Sequence, residues 1–292
     1  MARDAGSYQR EKLLLAMVPE LLKAHGLTHA SIAVRYGMKF AEAQAADGTR
    51  VIFWVKQAWK NQADFAAFQF GMVDAPAPRQ AQQYVDFVRN LVANAKTRGA
   101  QYLPMVHMPG DLIVSNYAVL ELDDVVAAYQ RQLAGWPDRA MEGASPVLYF
   151  DGMRSRSDVE RAEIVRELSV PLAGIAGLVP LVKGAGKDSK TVWAETERRM
   201  KQQVFRFLVG EACGWTCAVS GNRVQKVLDA AHLPGKNWRF DNKAGDGIML
   251  RADLHRLLDA GLAELRDGSF WIHKEARCEE YEHLHARPYA RT

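Results

Sequence analysis

Residues 229–261 read DAAHLPGKNWRFDNKAGDGIMLRADLHRLLDAG and carry two histidines, His232 and His255, on what reads as strand, strand and short helix. His232 closes the apolar segment Val227 to Ala231, and a polar loop rich in Gly, Asn, Asp and Lys follows. GIML (247–250) has the content of a second strand, and Arg251 to Asp259 has helical spacing. Gly261 stands where a helix ending at Asp259 or Ala260 takes a left-handed cap. Further out, LAELRDGSFWIH (262–273) reads as a hairpin, with Asp267 and Gly268 filling the two positive-φ positions of a type I′ turn. His273 falls in that sheet, whereas His283 and His285 lie in a charged tail that reads as solvated surface.

A histidine titrates near neutrality and can take a proton from water. A cation held by nitrogen and oxygen donors can offset charge growing on a phosphorane and its leaving oxygen. The segments AAHL (230–233), DGIML (246–250) and LHRLLDAGL (254–262), in the order β, β, α, resemble the core of the HNH endonucleases, the His-Me finger nucleases. The nearest branch has a motif running AAHI, NGL, LH, FD. QQVFRFLVGEACGWTCAVSG (202–221) looks like the helix and first strand that precede the motif in that branch, so the resemblance covers roughly the last third of the chain.

The resemblance implies a phosphodiester hydrolase acting on DNA, with His232 as general base and His255 as metal ligand. Asp246 stands where the family has the Asn that orients the base. Three readings of it stay open: it replaces that Asn and raises the pKa of the nearby imidazole, it is drawn to the metal, or Asn242 takes over the missing amide. Ala231 stands where many relatives carry a further metal ligand. Asp259, one helical turn beyond His255, is either a second ligand or a structural carboxylate at a helix end. Asp229 faces the opposite side of a regular strand from His232. Magnesium is the first cation implied, and a site with one imidazole and few carboxylates also accepts manganese, nickel or cobalt.

The 292 residues are 48% hydrophobic, enough to bury a large core, and the length favours two domains. The net charge of +4 is mild for a DNA-binding protein, so its distribution matters more. ERRMKQQVFR (197–206) and PGKNWRFDNK (234–243) gather cations and aromatics where a phosphate backbone would pass, which nominates Lys201, Arg206, Lys236, Arg239 and Lys243 as DNA contacts. The alternative for each is an ordinary solvated basic face. Three cysteines argue against a disulfide framework. Cys213 and Cys217 with a distant Cys278 do not make the paired motifs of structural zinc, and packing near the first strand suits them better. The start, MARDAGSYQREK, lacks a signal-peptide core, and the apolar run Val170 to Val182 is too short to span a membrane. A cytoplasmic location is the expectation.

The fold class expected is α+β: a mixed α/β N-terminal domain of unrecognised family over 1–180, then a ββα-metal nuclease domain over 188–292. HASIAVRY, TRVIFWVKQ, FAAFQFGMV, YLPMVHM and DLIVSNYAVLE read as strands. Arg79 to Lys96 reads as a helix with Tyr84, Val85, Val88, Leu91, Val92 and Ala95 on one stripe. Further helices are expected from Asp123 or Asp124 to Leu133, from Ser157 to Ser169, and from Ser189 to Ala212. VPLAGIAGLVPLVKGAGK (170–187) marks the boundary as a packed connector. Phe53, Trp54 and Trp59, with Tyr36 nearby, suit either a flipped or modified base or, more cheaply, core packing. A small molecule for the N-terminal domain and a second copy of the chain are further partners the reading allows.

Restriction or defence against foreign DNA is the setting this combination suggests. The rival is a non-catalytic nucleic-acid or protein-binding module on a degenerate HNH fold, for which Ala231 and Asp246 speak and against which the pair His232 and His255 speaks. An RNA nuclease is a third reading.

Overall fold

The computed structural model describes residues 5–56, 60–62, 65–76, 78–108, 116–152, 155–184 and 190–290, with the backbone alone for 5–9, 60–62 and 190–197. The chain divides into two compact units, Met1–Met200 and Lys201–Thr292. Both mix helix and strand, as expected for an α+β chain.

The first unit opens on α1 (Ala5–Ala24), which buries Leu13, Leu14, Met17, Val18, Leu21 and Leu22. It continues with β1 (Thr28–Arg35), β2 (Met38–Gln44), β3 (Arg50–Val55), β4 (Lys60–Gln62), β5 (Phe65–Gln69), α2 (Ala81–Lys96), β6 (Tyr102–His107) and β7 (Asn116–Glu121). Then come α3 (Leu122–Gly135), α4 (Pro137–Ala140), β8 (Met141–Glu142), β9 (Ser145–Gly152), α5 (Arg156–Leu168) and α6 (Leu172–Ile175). Among the described residues one sheet runs β1-β2-β3-β6-β7 and a second runs β4-β5-β9-β8. The β3–β6 pairing is parallel, because α2 carries the chain back across.

The stripe foreseen on α2 packs inward, with Tyr84, Val85, Val88, Val92 and Ala95 buried. Phe53 and Trp54 are also buried; Phe53 lies against Tyr102 and Trp54 meets Phe68 edge-on. Packing therefore accounts for both, and Trp59 lies outside the described residues. Within this core Gln132 of α3 bonds both the N–H and the C=O of Tyr149 and the carbonyl of Arg161, tying α3, β9 and α5 together. Beside it Arg161 is buried against Asp158, with its guanidinium 4.0 Å from the Tyr149 ring centre.

The boundary differs from the one the Gly/Pro-rich stretch suggests. That stretch is knitted into the first unit: Val170 N–H bonds the Val119 carbonyl, Ala46 N–H bonds the Ala176 carbonyl, and Gly184 N–H bonds the Ser169 carbonyl. The division falls instead between Met200 and Lys201, inside α7 (Lys190–Ala212), whose Phe205 and Val209 belong to the core of the second unit.

The second unit continues with β10 (Leu228–His232), β11 (Gly247–Arg251), α8 (Ala252–Asp259), β12 (Ala263–Arg266), β13 (Ser269–Ile272), α9 (Glu279–Glu282) and β14 (Arg287–Pro288). The ββα order, the helix end at Asp259 with Gly261 at φ +67°, and the β12–β13 turn with Asp267 and Gly268 at φ 52° and 74° all agree with the sequence reading. His273 lies just past β13, where its N–H bonds the Leu262 carbonyl. One element differs: residues 213–224 form turns, not a first strand. Trp215 sits at φ 53°, and the loop closes around Cys217, whose buried Sγ accepts the N–H groups of Ser220 and Arg251. His285 also differs, packing edge-on against Trp271 and accepting the Ile272 N–H, while His283 is exposed. Among the described residues no helix is long and apolar enough to cross a membrane.

Candidate active site

β10 and β11 pair antiparallel from Leu228↔Arg251 to His232↔Gly247, so His232 stands at the open end of the ladder. Its opposite number, Gly247, has no side chain for a reason of space. A Cβ there would lie 2.3 Å from Cζ of Phe205 and 2.7 Å from the Ala231 carbonyl oxygen. The vacant volume is filled by the Phe205 ring, which stacks on the His232 imidazole at 3.9 Å and an interplanar angle of 9°. Such stacking contributes about 0.5–1.5 kcal/mol and fixes the plane of the ring.

The second restraint on His232 is a hydrogen bond from Nε2 to the Asp241 carbonyl at 2.9 Å. A carbonyl only accepts, so Nε2 carries the proton and the neutral ring keeps its lone pair on Nδ1. The plane and the tautomer of the imidazole are thereby fixed. The orienting group is thus a main-chain oxygen of the loop.

Asp246 has other partners. Its carboxylate accepts from Lys236 Nζ at 2.8 Å and from the Lys243 N–H at 2.9 Å. The Lys236 hydrogen bond holds the Asp246 carboxyl below the usual carboxylate range, and Asp246 in turn raises the Lys236 ammonium. Asp246 instead ties together the loop whose Asp241 carbonyl bonds His232. Asn242 is likewise a loop residue, donating to the Trp238 carbonyl at 2.8 Å.

His232 shares a cleft of about 470 Å³ with Ala231, Pro234, His255, Leu258, Asp259, Glu264 and Leu265. The helix spacing of His255 and Asp259 brings Nε2 and Oδ1 within 3.6 Å, with the two side chains 26% and 72% exposed. Two donors on one cation at about 2.0–2.2 Å stand roughly 3 Å apart, so a small rotamer change lets this pair hold a divalent ion whose other positions are water. The nitrogen and oxygen donor set fits such an ion. Among the described residues no cluster of three or more His, Cys, Asp or Glu forms a larger metal cage. Glu264, on β12, was not singled out from the sequence; only the hairpin register, which turns it away from the buried Ala263, reveals that it lines the cleft.

The basic residues divide into two groups. Arg206 donates Nε to the Leu228 carbonyl and Nη2 to the Gln225 carbonyl, so it fastens the start of β10 to α7. Lys236 is committed to Asp246. Lys201 is half-buried on α7, and Arg239 and Lys243 are exposed on the loop after His232. Asp229 lies beyond the cleft lining and reaches Arg206 at 3.9 Å.

No family model, curated protein or solved structure matches this chain. The functional reading therefore rests on the site itself.

Gly247 offers a direct check on the geometry. Gly247→Ala is expected to displace Phe205, lower stability by about 1–3 kcal/mol through overpacking, and slow any cleavage by loosening His232. Thermal unfolding and plasmid nicking measure the two effects; an unchanged melting temperature with unchanged activity rules the stacking arrangement out.

Proposed function

We propose that the chain is a metal-dependent DNA endonuclease of the HNH type, suited to restriction or defence. The observation that carries this reading is one cleft lined by an imidazole with its proton committed to Nε2 and by the donor pair His255 and Asp259.

In the reaction, Nδ1 of His232 takes a proton from a water molecule as that water attacks phosphorus in line with the 3′ oxygen. The P–O3′ bond breaks, the 3′ oxygen takes up a proton from solvent, and the product ends are a 5′ phosphate and a 3′ hydroxyl. Phe205 and the Asp241 carbonyl keep the imidazole from turning as its charge changes. His255 and Asp259 would hold a divalent cation, magnesium or manganese first and nickel or cobalt as substitutes. When bound, that ion supplies positive charge against the phosphate oxygens in the transition state.

The test is nicking of supercoiled plasmid across a series of divalent ion concentrations. Chelator is expected to abolish cutting, and His255→Ala to raise the half-saturating metal concentration about 10–100-fold. Full cutting by the wild-type chain in excess chelator contradicts the proposal.

A further inference from the structure

The loop between β10 and β11 carries two aromatic side chains that stand outside the hydrophobic core of the second unit. Phe240 is 83% exposed and Trp238 is 37% exposed. The loop that holds them is closely bonded: Leu233 N–H to the Asp246 carbonyl, Asn237 N–H to the Asp241 carboxylate, and Phe240 N–H to the Asn237 carbonyl. Both aromatics are thus carried on a loop cross-linked by its own hydrogen bonds. The cations nearby point to the partner's charge. The Arg239 guanidinium lies 5.4 Å from the Trp238 ring centre and Lys243 is exposed, whereas Lys236 is neutralised by Asp246.

A flat apolar ring beside a cation matches a nucleotide, whose base offers a π-face and whose phosphate offers the charge. In intact duplex the faces of the bases are already covered by their neighbours. A ring can stack on a paired base only by forcing two base pairs apart, whereas an unpaired base is open to it. The same loop supplies the Asp241 carbonyl that orients His232, so a nucleotide seated on it stands close in the chain to the proposed base.

We propose that Trp238 and Phe240 form a stacking platform for unpaired bases, and that the chain prefers single-stranded or locally opened DNA over intact duplex. This deepens the nuclease reading above and rests on it for the identity of the cleft. Arg239 and Lys243 would contact the phosphates of the stacked nucleotides.

The experiment measures binding of a fluorescent 12-nucleotide single strand and of a hairpin duplex of equal length. It uses the full-length His232→Ala chain in chelator, so that nothing is cut. The single strand is expected to bind at least about tenfold more tightly than the duplex. Phe240→Ala, and Trp238→Ala separately, should each weaken single-strand binding roughly 5- to 100-fold and change duplex binding less than about threefold. Lys243→Ala should weaken both alike. Equal affinity for the two DNAs, or equal loss for both on removing the aromatics, overturns the platform. A parallel cleavage assay separates the two ideas: a wild-type chain that cuts duplex without preference leaves the nuclease standing and the platform refuted, whereas aromatic-dependent single-strand binding without any cleavage does the reverse.

Discussion

His232→Ala is expected to slow DNA cleavage at saturating metal by about 10²–10⁴-fold, the range by which a positioned base accelerates proton transfer. The ring is half-buried and stacked on Phe205, so its loss also removes a packing contact worth about 0.5–1.5 kcal/mol. His232→Phe separates the two consequences. It preserves a ring against Phe205 but has no nitrogen, so it should unfold near the wild-type temperature and remain as inactive as the alanine variant. Metal affinity should change little in either, because the donor pair His255 and Asp259 lies on α8.

The second large effect concerns the first unit and has nothing to do with catalysis. Asp158→Ala is expected to cost about 3–5 kcal/mol of stability, the loss typical of a buried ion pair deprived of one partner. Arg161 is almost wholly enclosed, and apart from Asp158 its guanidinium meets the faces of Tyr149 and Trp136. Among the described residues two of its nitrogens, Nε and Nη1, already lack a hydrogen-bond partner. Among the described residues, removing the carboxylate leaves the charge facing the two rings. Asp158→Ala combined with Arg161→Met should recover most of the loss, since an apolar pair of similar volume need not be desolvated at such cost. Chemical unfolding of the three variants decides this, and a single variant as stable as the wild type excludes a structural role for the pair.

The ββα unit was legible because each element announces itself locally. Leu228 to Ala231 and GIML are short apolar runs, the loop between them is polar, and Gly261 and Asp267-Gly268 sit where left-handed backbone is required. What the sequence concealed was whatever depends on a main-chain atom or on distant residues meeting. No pattern of residue types marks the Asp241 carbonyl as the partner of His232, or Phe205 as the ring that fills the space above Gly247. Asp246 looked like a neighbour of the base because of its place in the motif, yet Lys236 ten residues earlier claims it.

In the first unit β2 escaped notice because Lys39 and Glu42 interrupt its apolar pattern. Glu42 in fact pairs with Arg35 and Arg50 on the strands either side, so its charge is part of the sheet. β9 was hidden by Pro146 and Gly152 near its ends, residues that read as turns, although Val147 to Phe150 are buried. α1 was missed for a similar reason, with Pro19 inside a helix that buries its leucines all the same. The Gly/Pro-rich stretch misled about the boundary because its hydrogen bonds to β7, to Ser169 at the end of α5 and to the loop after β2 are invisible until the chain is folded.

In the proposed mechanism one imidazole activates water beside a cation held by another. Single-turnover nicking of supercoiled plasmid by the wild-type and His232→Ala chains, measured across manganese concentrations, tests it most directly. Both chains are expected to share one half-saturating concentration, with a plateau rate at least about a hundredfold lower for the variant. A His232→Ala plateau equal to that of the wild type contradicts it.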